Sequence, residues 1–209
     1  MAVVTSSLLL AETLAARLCH DLASPLGSLA GVLELAREGD GEALGLALET
    51  AQKLSQRLGL LRAAWAAQPG PFAMATLPEL AEGLPGRHRI RLDFSDLAPT
   101  PDFAPEAGRL VLNLLLLAAE ALPAGGTLFL SGEAGREVLL RVAGPRAAWP
   151  AGLAGYLVDP ESAWAALADP RALQAPLTAL LAAQAGLRLA VLLPGGAMTG
   201  VPPLLLDLR

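Results

Sequence analysis

Apolar residues recur three and four positions apart over residues 7–37 and again over 42–67, where Leu44, Ala47, Ala51, Leu54, Leu58, Leu61 and Trp65 make one stripe. Both stretches predict long helices. Between them "EGDGE" supplies a Gly-Asp-Gly turn, with Asp40 placed to cap the second helix. Two long helices joined so tightly form an antiparallel hairpin. A hairpin cannot bury an apolar stripe of that length alone, whereas pairing with a second copy makes a four-helix bundle. A homodimer is therefore expected.

Beyond residue 67 the pattern changes. "QPGPFAMATLPE" (68–79) is rich in helix breakers and reads as a linker. "RHRIRLDF" alternates polar and apolar, as a half-buried strand does. "PEAGRLVLNLLLLAAEAL" predicts a buried helix with Pro105 in its first turn. "GGTLFLSGE" and "REVLLRVAG" predict a hairpin through Gly132 to Gly135, and "RALQAPLTALLAAQAG" another helix ending at Gly186. "LRLAVLLPGG" and "VPPLLLDL" supply late strands, while residues 144–170 carry no pattern that assigns them. The fold class expected is α plus α+β. A helical hairpin over residues 1–68 forms the bundle in the dimer, a linker covers 69–78, and a sheet covered by helices on one face spans 79–209.

Charge and composition narrow the function. The 209 residues carry 15 Lys and Arg against 20 Asp and Glu, a net −5, which argues against a nucleic-acid partner. Lys53 is the single lysine; this bias, with the wealth of Ala, Gly and Pro, reflects base composition more than function. The longest apolar run, at 110–119, is broken by Asn113 and falls short of the roughly 18–20 residues of a membrane span. The first residues show no basic leader. Cys19 is alone and forms no internal disulfide. A soluble cytoplasmic protein with no membrane partner is expected, and its aliphatic surplus again points to a subunit interface.

At about 100° per residue, Leu14, Leu18, Leu22, Leu26, Leu29 and Leu33 fall within roughly 120° of one another and form the expected bundle core. His20 lies about 175° away, on the solvent side. Its neighbours there are Ala16, Ala23, Ser24, Gly27 and Gly31. Surface helix positions usually carry long charged side chains; this strip is bare. Gly and Pro cost about 1 and 3 kcal/mol relative to Ala in a helix interior, so helix stability did not select Gly27, Gly31 or Pro25. A bare strip lets another protein's backbone approach a histidine.

Neutral imidazole is a good nucleophile near pH 7, its unperturbed pKa being about 6.5. An exposed His20 can attack a phosphoryl group through one ring nitrogen while Asp21 accepts the proton of the other, or of the attacking one, and fixes the tautomer. Pro25 frees the carbonyl of Asp21 and is expected to bend the helix. Ser24 is placed to bond that carbonyl or a phosphoryl oxygen, and Arg17, one turn back, to offset phosphoryl charge. Cys19 reads as a packing residue and His88 as a member of a solvated strand face. The pairs Gly125 with Gly126, and Gly195 with Gly196, read as turns.

"CHDLASPLGSLAGVLEL" resembles the box of sensor histidine kinases that carries the phosphorylated histidine on a dimeric hairpin, with His20 as phosphoacceptor, Asp21 as its acidic partner and Ser24 at the hydroxyl position. "LVLNLLLLAAEAL" resembles the asparagine box of the kinases' ATP-binding (Bergerat) domain in degraded form. Asn113 matches the first asparagine, but the second, which holds magnesium with ATP, is Leu117. Ala143 stands in place of the aspartate that reads adenine, and "QAPLTALL" in place of the glycine-rich box over the phosphates. Leucine and alanine can neither coordinate a metal nor accept from an amino group, so ATP binding and autokinase activity are expected to be lost.

A phosphoacceptor histidine beside a degraded kinase domain is similar to the ChpT-type histidine phosphotransferases of alphaproteobacteria, with "RLCHDLASP" and "LNLLLLAAEALPAGGTL" carrying the likeness. The resemblance implies that His20 accepts a phosphoryl group from the receiver domain of a hybrid kinase and passes it to response-regulator receivers, in cell-cycle control. Each receiver would bring its own magnesium, so no cofactor of the chain's own is expected. The alternatives are a non-catalytic receiver-binding dimer, a working sensor kinase and a plain structural dimer. Exposed positions 33–37 and 52–56 are candidates for partner selection.

Overall fold

The computed structural model describes residues 2–66, 68–70, 72–99, 101–193 and 200–209, with side chains from Leu8 onward. Helix α1 (Ala2–Arg37) runs unbroken through Pro25. Gly39, at φ +100°, turns the chain back. Asp40 then caps α2 (Gly41–Trp65), its Oδ1 accepting from the amides of Glu42 at 3.0 Å and Ala43 at 3.2 Å. Two of the orphan amides at the start of a helix are thereby satisfied. α1 and α2 pack as the antiparallel hairpin that their patterns predict.

Past the hairpin come α3 (Leu77–Ala81), β1 (Ile90–Asp93), α4 (Pro105–Glu120), β2 (Gly126–Glu133) and β3 (Glu137–Ala143). They are followed by α5 (Leu153–Tyr156), α6 (Pro160–Ala166), α7 (Gln174–Gln184), β4 (Arg188–Val191) and β5 (Leu204–Asp207). The strands make one mixed sheet in the order β1-β2-β3-β5-β4, parallel between β1 and β2 and antiparallel elsewhere. The parallel pair needs a crossover, which α4 provides.

Side chains alternate faces along a strand, and here one face is apolar. Leu130 pairs with Leu140, Leu140 with Leu204, and Val138 with Leu206; all five are buried. α4 lies in this core, buried from Leu110 to Ala119, which is why it reads apolar all round. Leu60, Leu61 and Ala64 of α2 join the same cluster, so the end of the hairpin is built into the second layer.

Several expectations need correction. The breaker-rich stretch is packed from residue 72 through its apolar side chains: Phe72 meets Phe103 with ring centroids 5.9 Å apart, Met74 and Leu77 are buried, and α3 starts at Leu77. Pro69 and Gly70 follow the end of α2, but the large apolar side chains beyond them tie the segment into the core. The strand expected from Arg87 begins only at Ile90, because Gly86 at φ +65° leads into a 3-10 turn over Arg87–Arg89. His88 is exposed on that turn, not on a strand. Gly125 and Gly126 do turn the chain into β2, whereas Gly195 and Gly196 lie outside the described residues.

The hairpin stripe divides. Leu14 and Leu18 pack against the main core, while Leu26, Leu33, Leu44 and Leu58 are 48%, 47%, 64% and 40% exposed. Among the described residues no helix is long and apolar enough to cross a membrane.

Candidate functional site

His20 stands on α1 with its side chain 73% exposed, while Asp21 beside it is 13% exposed. Nδ1 of the imidazole lies 3.4 Å from Oδ1 of Asp21, so the opposite ring nitrogen, Nε2, is turned away from the carboxylate. Arg17, one helical turn back, donates from Nε to both Asp21 oxygens at 3.1 and 3.2 Å. Arg57 comes from α2 and donates from Nη2 to Oδ2 at 2.7 Å. The carboxylate is thus held by guanidinium groups from both helices of the hairpin.

Arg17 also reaches the second layer. Its Nη2 donates to Glu120 at the end of α4 at 3.0 Å, and its Nη1 to the carbonyls of Pro170 and Arg171 at 3.1 and 3.3 Å. The expected role of Arg17, offsetting phosphoryl charge, competes with these bonds; in this structure it clasps α1 to the loop before α7. Two arginines and two carboxylates make the cluster formally neutral.

Burial pushes the Asp21 carboxyl up, but the hydrogen bond from Arg57 and the charges of Arg17 and Arg57 outweigh it and leave it below the ordinary carboxylate range. Glu120 goes the other way: burial dominates over Arg17 and raises it. Asp21 is therefore an ionised acceptor facing Nδ1 at neutral pH.

A cleft of about 410 Å³ opens beside the imidazole, lined by Ala16, Arg17, His20 and Asp21 from α1 and by Asp169, Pro170 and Arg171 from the facing loop. Ser24 is exposed one turn beyond His20, and Ala16, Ala23, Gly27 and Gly31 are exposed as the helical period predicts. A Cβ at Gly27 or Gly31 would meet nothing within 4 Å, so no contact inside the chain requires glycine there. Cys19 is exposed, which corrects the packing role expected of it.

The positions matched to the kinase nucleotide boxes have other uses. Asn113 is 0% exposed, its Nδ2 donating to the carbonyls of Ala64 at 2.8 Å and Arg109 at 2.9 Å while its Oδ1 accepts from Gln174 at 3.1 Å. Leu117 is buried in the core, and Ala143 ends β3.

The model of the histidine phosphotransferase C-terminal domain matches residues 74–197. The chain is 30% identical over 146 residues to the protein phosphotransferase ChpT of Brucella abortus (strain 2308). That match covers 60% of this chain and 62% of the relative's length. In fold the chain is similar to a solved bacterial phosphotransferase, with a TM-score of 0.68 and 23% identity over 94% of each chain.

Proposed function

The chain belongs to the histidine phosphotransferase family, and from that membership we propose that it relays phosphoryl groups between receiver domains through His20. The observation that carries the reading is the setting of the imidazole: 73% exposed, faced on Nδ1 by an ionised Asp21, and open along a strip of small residues. A nucleophile that must meet a folded partner needs such a clear surface.

Asp21 favours the tautomer with the proton on Nδ1, leaving the lone pair on Nε2. Nε2 attacks the phosphorus of an aspartyl phosphate on the donor receiver. The N–P bond forms, the acyl P–O bond breaks, and its electron pair stays on the receiver's carboxylate. The ring gains positive charge, which Asp21 offsets, and no proton has to leave. Delivery to a second receiver runs the same steps backward. The receivers bring the magnesium they need.

The second domain acts as scaffold and docking wall, with Asp169, Pro170 and Arg171 facing the histidine across the cleft. It is proposed to bind no nucleotide, since Leu117 and Ala143 offer neither a metal ligand nor an acceptor for adenine; calorimetry with ATP and magnesium should register no heat of binding, and micromolar affinity would refute this. The exposed leucines at 26, 33, 44 and 58 support a homodimer formed through the hairpin as a four-helix bundle.

The test is incubation with a phosphorylated receiver domain. Wild-type protein should gain acid-labile, alkali-stable phosphate and His20→Ala none. Absence of label on wild type with several competent receivers would favour a receiver-binding inhibitor, and label from ATP alone a working kinase.

A further inference from the structure

Adjacent residues on a helix diverge by about 100° and do not face one another. The approach of Asp21 to the ring of His20 therefore needs a restraint on the carboxylate; Arg17 gives one from within α1. Arg57 supplies one from 36 positions away, its 2.7 Å contact being shorter than either contact from Arg17.

Arg57 is itself anchored. Its Nη1 donates to the carbonyl of Gly83 at 3.4 Å, in the loop after α3. That loop lies so close to α2 that a Cβ on Gly83 would sit 2.3 Å from the carbonyl oxygen of Gln56. The guanidinium thus bridges a tightly apposed loop and the carboxylate beside the histidine.

We infer that Arg57 is a positioning residue for phosphoryl transfer: it pins Asp21 so that His20 keeps its proton on Nδ1 and presents an unprotonated Nε2. The inference rests on the proposed role of His20 as phosphoacceptor. An unrestrained histidine in water favours the proton on Nε2, which silences that nitrogen. Arg17 cannot be separated as cleanly, because it also holds Glu120 and the carbonyls of Pro170 and Arg171. Removing Arg57 leaves those bonds in place.

The full chain is compared with Arg57→Gln, Asp21→Asn and the double variant. The first readout is the pair of ring ¹⁵N resonances of neutral His20, which reports the tautomer; the second is the rate of phosphoryl acceptance from a phosphorylated receiver. Wild type should hold the Nδ1–H form. Both single variants should shift toward Nε2–H and slow acceptance by about ten- to a hundredfold, the size expected of lost positioning. Because Arg57 acts through Asp21, the double variant should be no slower than Asp21→Asn alone.

An unchanged tautomer in Arg57→Gln, or effects that multiply in the double variant, would overturn the inference. Should Arg57→Gln fail to fold, Arg57→Met, which keeps the stem, carries the same prediction. If wild type accepts no phosphoryl group, the reading of His20 falls, while the ring resonances of the same proteins still decide whether Arg57 sets the tautomer.

Discussion

Nδ2 of Asn113 donates to the carbonyl oxygen of Ala64 at 2.8 Å, joining the middle of the buried helix α4 to the last turn of the hairpin. That carbonyl is one of the orphan acceptors at a helix C-terminus, and Asn113 shares it with Nε of Arg109, which donates at 3.3 Å. The amide that matches the first asparagine of the kinase box is here a fastener between layers. Arg17 makes the second tie, from α1 to Glu120 and the loop before α7. With both in place, α4 and the loop before α7 are tied to the two helices of the hairpin.

Replacing Asn113 by leucine removes one of the two side-chain donors to the Ala64 carbonyl, the bond to the Arg109 carbonyl, and one of the acceptors of Gln174. Losing buried hydrogen bonds and burying leucine in a polar niche costs about 1–3 kcal/mol, so Asn113→Leu should lower the unfolding free energy measured in urea by about that much, seen as a lower midpoint at unchanged slope. An unchanged midpoint would mean that the tie contributes nothing.

The bare strip separates stability from function. Gly27 has open space around it, so Gly27→Ala should stabilise the chain by about 1 kcal/mol in urea unfolding. Gly27→Arg should likewise leave the fold intact but slow phosphoryl acceptance from a receiver severalfold. Equal rates for Gly27→Arg and wild type would show that receivers do not dock along this face.

The two carboxylates of the arginine cluster answer to pH in opposite senses. Asp21 is depressed in the folded state, so its stabilisation is present above the unfolded value of about 3.9 and lost as pH falls through the lower folded one. Glu120 is raised, so the folded chain takes up a proton earlier than the unfolded one. Its contribution is full below about 4.3 and disappears as pH rises through the folded value. Unfolding measured from pH 3 to 7 should therefore show wild type losing ground to Glu120→Gln as pH rises, and to Asp21→Asn as pH falls toward 3. Flat differences across that range would contradict the arrangement.

Much of the site is legible in the sequence. The helical period alone sets His20 opposite the leucine stripe, and the strip of small residues emerges from the same count. Arg57 escapes such a reading because its meeting with Asp21 depends on how two helices register. A signal exists: Arg57 falls at the edge of the apolar stripe of α2, about 40° from Leu61 and about 60° from Leu54, where a charge needs a partner. Glu120 leaves a similar trace, an acid at the C-terminal end of a helix, where the macrodipole disfavours it unless a cation is near. The loop at 169–171 leaves none, since its meeting with Arg17 spans more than 150 positions. Residues 68–79 mislead because proline and glycine mark where a helix ends, not whether the next segment is buried.

The most direct test of the central claim is a reconstituted relay containing a phosphorylated donor receiver, an acceptor receiver that the donor does not label directly, and this protein. The acceptor should gain phosphate when the wild-type chain is present and lose that gain with His20→Ala. Phosphate reaching the acceptor equally with His20→Ala, or not at all with wild type that folds and binds both receivers, would contradict the account.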